Sequence, residues 1–148
     1  MHVRTVNLIV GAPRDTVFNF LADVENLPKW AHAYCERVYL QRGRWWALTS
    51  QGELMVATEV DPATGVIDVL AGVSADGMGL LPIRVLALPA ERTLVSLTLV
   101  QPPEMSDERY ERRYLDLVDE TRGLVQRFGG DRPHTGAVET DLAGHGAN

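Results

Sequence analysis

The sequence predicts an α+β domain: a curved, seven-stranded antiparallel sheet around one long C-terminal helix, with two short helices after the first strand. Three observations carry that expectation. Residues 106–128, SDERYERRYLDLVDETRGLVQRF, place Tyr110, Tyr114, Leu117, Val118, Thr121, Leu124, Val125 and Phe128 at three- and four-residue spacings, one face of a helix. Between residues 34 and 100 the apolar period is two, interrupted by short Gly- and Pro-bearing turns. Before that run, GAPRDTVFNFLADVENLPKW reads as a short amphipathic helix followed by a broken one.

Residues 2–10 alternate as a strand, with Val6, Leu8 and Val10 on one face and Arg4 on the same side near its start. Pro13 suits the first turn of a helix over Arg14–Ala22, whose apolar side is Val17, Phe18, Phe20 and Leu21. Pro28 permits only a short second helix within Asp23–Trp30. Strands follow over residues 34–41, 44–50, 53–60, 66–72, 80–88 and 92–100. Arg42-Gly43, Gln51-Gly52 and Asp61-Pro62-Ala63-Thr64-Gly65 are the turns between the first four of these, and Ser74–Gly79 reads as a glycine-rich loop. Connections this short require antiparallel pairing. Each strand has one apolar face, so one side of the sheet is covered, and only the terminal helix is long enough to cover it.

That helix has Ser106 as N-cap, Asp107 and Glu108 at the positive end of its dipole, and Met105 and Tyr110 at staple positions. Pro102-Pro103 precede it and Gly129-Gly130 end it. Its length is about 33 Å at 1.5 Å per residue. Arg112, Arg113, Asp116, Asp119, Glu120, Arg122 and Arg127 are expected mostly on its outer face. The arrangement is a helix grip. Residues 1–130 form the domain, and residues 131–148, rich in Gly and Ala without a period, form a loosely packed or disordered tail.

A chain of 148 residues is one ordinary domain, with 45% hydrophobic and 23% charged residues. The net charge of -6 argues against nucleic acid as a partner. The single cysteine, Cys35, allows no internal disulfide and reads as a buried apolar group. With no charged-then-apolar leader and no long apolar run, a cytoplasmic protein without stable membrane insertion is expected.

The stretch VNLIVGAPRDTVFNFLADVENLPKW resembles the opening of the polyketide cyclase/dehydrase, START-like (SRPBCC, Bet v 1-like) superfamily. The matching features are the first strand, the Ala12-Pro13 helix start, the aromatic helix with Val17, Phe18 and Phe20, and the segment Asp23–Trp30. Cys35 to Val38 resembles the start of the second strand there, particularly in coenzyme-Q-binding members. In element order the resemblance spans roughly residues 3–128, and its specific part is residues 6–38. It implies a cavity between sheet and C-terminal helix that binds a hydrophobic small molecule.

Chemistry-bearing motifs are few. His2, His32, His134 and His145 are scattered, without metal-ligand spacing, and there is no nucleophile elbow or phosphate loop, so neither metal nor cofactor is expected. His32, next to Trp30 and Tyr34, is the candidate general base, weighed against a plain surface histidine. Trp30, Tyr34, Trp46, Met55, Met78, Tyr110 and Tyr114 are the candidate ligand-contacting residues. Trp45 and Trp46 must point to opposite faces, and the sequence does not say which faces inward. Arg84 and Glu53 are either buried anchors or residues of the solvent side, and their alternation favours the latter. The expected function is binding or transport of a hydrophobic, lipid-like ligand. A polyketide aromatase/cyclase-type enzyme using His32, Tyr110 or Arg84 is the first alternative. A dimeric, non-catalytic interaction module is the second.

Overall fold

The computed structural model describes residues 1–74, 78–130 and the backbone of 134–136. Its elements are β1 (Val3–Val10), α1 (Arg14–Ala22), a 3-10 turn (Val24–Asn26), α2 (Leu27–Trp30), β2 (Cys35–Gln41), β3 (Arg44–Thr49), β4 (Gly52–Asp61), β5 (Val66–Gly72), β6 (Gly79–Leu88), β7 (Arg92–Val100), α3 (Asp107–Phe128) and β8 (His134–Gly136). The sheet order is β2-β3-β4-β5-β6-β7-β1-β8, and every pairing is antiparallel. Seven strands and three helices stand where the residue patterns put them. The eighth strand was not expected: the backbone of residues 134–136, assigned to a loosely packed tail, pairs with Thr5–Asn7 of β1. Three residues are too few to show an alternating pattern. The rest of the tail, and the centre of the Ser74–Gly79 loop, lie outside the described residues.

Strand register decides which side chains meet the helices. Val6, Leu8 and Val10 of β1 stand opposite Leu97, Val95 and Thr93, which continue across the sheet to Ile83 and Val85, then to Ile67 and Val69. These residues are buried, and all but Thr93, whose hydroxyl donates to Ala12 O, form one apolar layer with Val17, Phe18, Leu21, Leu27, Trp30, Leu117 and Leu124. The outer side carries the polar partners of the alternation. There Thr5 bonds Thr98, Asn7 bonds Ser96, and Arg84 reaches Asp68 at 2.9 Å, so Arg84 anchors nothing in the interior. Glu53 is exposed and accepts a hydrogen bond from the Tyr39 hydroxyl.

α3 is fastened at both ends and on both flanks. The Ser106 hydroxyl oxygen accepts the Arg109 N–H at 3.2 Å and caps the first turn. The Gln101 side-chain amide donates to Met105 O and to Asp107, joining the end of β7 to the helix start. At the far end the Gly11 N–H donates to Gly129 O at 2.9 Å. Along one flank Arg4 bridges from β1 to Glu111 at 2.7 Å and lies over the rings of Tyr110 and Tyr114. Along the other flank, α3 meets the turn between α2 and β2. The helix therefore lies closest to β1 and α2 and does not blanket the sheet.

Candidate functional site

The side of the sheet that faces α3 is not uniformly buried. Around the closed layer, Val38, Trp45, Ala71, Leu81 and Leu99 pack against the core yet keep solvent access. Their positions follow from register: Trp45 stands opposite Val56, Ala71 also pairs with Val56, and Leu81 pairs with Val69. Tyr34 and Tyr114 complete this half-buried apolar set from the helix side.

Trp46 and Met55, expected in the same wall, face the other way. They are paired with each other across β3 and β4, and Tyr39 stands on the other side of Trp46, so all three occupy the outer surface. The parity of a strand allows no other outcome once Trp45 and Ala47 point inward. Trp46 instead borders a shallow surface pocket of about 260 Å³ with Gln41, Arg42 and Arg44. Met78 is half-buried just before β6. His32 is exposed on the turn after α2.

Tyr110 and Tyr114 do point inward, with different surroundings. Tyr110 is buried, stacks on His2, and its hydroxyl donates to Leu99 O at 2.6 Å, so that O–H is committed to the fold. Tyr114 is half-buried, with the Arg4 guanidinium 4.5 Å from its ring centre. Trp30 is buried at the end of α2, and its indole N–H has no partner among the described residues.

The polar pole of this region is Glu120, which the residue pattern had assigned to the outer face of α3. Its relative exposure is 0%. Oε2 accepts the Ala33 and Tyr34 N–H groups at 2.9 and 3.0 Å, and Oε1 accepts from Arg113 at 3.2 Å. Arg113 also lies over the Tyr34 ring, 5.0 Å from its centre. Burial pushes the Glu120 carboxyl above its ordinary range, opposed by Arg113 and the two N–H groups. Burial likewise raises the Tyr34 hydroxyl, with Arg113 pulling the other way. A signal was present in the sequence: Glu120 follows Leu117 by three residues and precedes Leu124 by four, which is the buried stripe itself. Arg113 stands two turns earlier on the same stripe. Cys35, beside this cluster, is buried, and its thiol is pushed up to about 11, chiefly by burial, so it is protonated and unreactive near neutral pH.

Among the described residues no group of three or more His, Cys, Asp or Glu is placed to hold a metal ion. None of the described helices is long and apolar enough to cross a membrane.

No protein-family model matches the chain, and no curated protein matches it. Solved structures do. A START superfamily protein from Mycobacterium smegmatis superposes with a TM-score of 0.62 at 13% identity, covering 86% of this chain and 97% of that one. The Zhui aromatase/cyclase from Streptomyces sp. R1128 gives 0.55 at 20% identity, covering 84% and 90%. The Aha1 dimer from Colwellia psychrerythraea gives 0.59 at 12% identity, covering 86% and 94%. Identities this low speak for architecture alone. The expected resemblance is thus met at the level of structure: the chain has a START-like helix-grip fold.

Proposed function

We propose that the protein binds a hydrophobic small molecule in a recess between the inner face of the sheet and α3. The observation that carries this reading is the ring of inward-facing apolar side chains that keep solvent access: Val38, Trp45, Ala71, Leu81, Leu99 and Tyr114. Apolar side chains turned toward a helix yet left half-wet have lost part of the stabilisation that closure would give, about 25 cal/mol per Å² of apolar surface. A ligand that covers them recovers it. The test is a titration with an apolar fluorophore whose emission rises on burial. Wild type should give a saturable, blue-shifted signal, and Leu81→Trp or Tyr114→Trp, which add bulk to the wall, should suppress it. No signal at saturating dye overturns the reading.

A homodimer is a second reading. It is favoured by β2 standing at the edge of the sheet with the half-buried Trp46 ring on the outer face of the adjacent strand, and the similar Colwellia protein is described as a dimer. Light scattering should then give twice the chain mass for wild type and the single mass for Trp46→Lys. A monomer in both removes it.

A further inference from the structure

We propose that the ligand is an uncharged, largely apolar molecule bearing a carbonyl-type oxygen, and that this oxygen accepts its hydrogen bond from Arg113. The inference rests on the binding reading above and deepens it. Arg113 lies on the inner stripe of α3, three residues after Tyr110 and four before Leu117, which are 1% and 0% exposed. Its side chain is only 18% exposed. A guanidinium has five N–H donors in a planar fork. Among the described residues, a hydrogen bond to Glu120 Oε1 uses one of them, while the guanidinium carbon lies 5.0 Å from the centre of the Tyr34 ring. An arginine placed over a ring, mostly out of water and with further N–H donors, is suited to receive an acceptor.

The charge around it decides which acceptor. All three partners of Glu120 are donors, which is the environment of a carboxylate, so Arg113 and Glu120 together carry no net charge. Arg4, a second guanidinium on the inner side, is likewise paired, with Glu111. An anionic ligand head would bring a second negative charge beside Glu120, where Arg113 and Arg4 already have carboxylate partners, at a desolvation cost. A carbonyl oxygen supplies lone pairs without net charge. The apolar body then lies against Trp45, Ala71 and Leu81.

The test uses one ring skeleton in three forms with the full chain at neutral pH: anthracene, anthraquinone and anthracene-9-carboxylate, each competing with the apolar dye. Anthraquinone should bind roughly tenfold more tightly than the other two, the scale of one hydrogen bond from a charged donor. That preference should fall to about one in Arg113→Met/Glu120→Gln, which removes both charges together and leaves neither buried alone. Independently of any variant, the carbonyl stretch of anthraquinone bound to wild type should lie below its frequency in an alkane solvent. Equal binding of anthracene and anthraquinone, tightest binding of the carboxylate, or an unshifted stretch overturns the carbonyl assignment while the recess stands. If none of the three binds, the binding reading falls with it.

Discussion

Glu120 concentrates the energetics of the inner site in one side chain. Its oxygens satisfy two backbone N–H groups of the turn after α2 and one N–H of Arg113, so the residue joins α3 to the start of β2. Truncation to alanine orphans all three donors and leaves Arg113 without its counter-charge. Glu120→Ala should therefore lose about 3 kcal/mol in urea unfolding, with Glu120→Gln losing less because its single oxygen can still accept the Ala33 and Tyr34 N–H groups, while Arg113 loses its counter-charge. The ionisation has its own signature. Because burial raises this carboxyl in the folded state, the folded protein takes up the proton more readily than the unfolded chain. The linked stability is fully present below the ordinary carboxylate range and is lost as pH rises through the raised value. The stability of wild type relative to Glu120→Gln should thus decline as pH rises through that window. A difference that moves in favour of wild type contradicts the burial account. Residue patterns concealed this site because a charged residue is by default assigned to solvent. Glu111 and Glu120 stand on opposite sides of α3, and only Glu120 is in phase with the buried Leu117 and Leu124.

The β2–β3 hairpin turns adjacent tryptophans into opposite tools. Trp45 joins the inner apolar set and Trp46 the outer surface. Trp45→Ala should weaken dye binding at least several-fold, and Trp46→Ala should leave it unchanged. Equal losses in the two variants would contradict the register. This assignment was illegible beforehand because both neighbours are large and apolar, so the alternation that fixed every other strand had no contrast to work with. A second element-scale prediction concerns the turn from β4 to β5. Gly65 has φ +75°, its carbonyl accepts the Val85 N–H at 2.9 Å, and a Cβ there would stand 2.1 Å from Val85 O. Gly65→Ala combines a strained backbone with a clash against main chain and should cost about 2 kcal/mol or more, read as a lowered urea midpoint. The turn sequence announced a bend, but the close approach of β6 belongs to the tertiary structure.

Taken as one molecule, the chain is a sheet whose middle strands are only partly covered. Period-two and period-3.6 patterns delivered seven strands, three helices and their order, because each element is amphipathic on a single scale. The eighth strand, the partners that Glu120 and Arg113 find inside, and the outward orientation of Trp46 and Met55 depend on contacts between distant segments, which no local pattern records. The central claim is that the half-buried inner face is a ligand recess, and methyl NMR during titration with an apolar ligand such as anthraquinone tests it most directly. Resonances of Val38, Ala71, Leu81 and Leu99 should shift together and saturate, while those of the exposed Leu86, Val100 and Leu115 stay in place. Shifts confined to the exposed methyls, or none at a saturating concentration, would contradict the account.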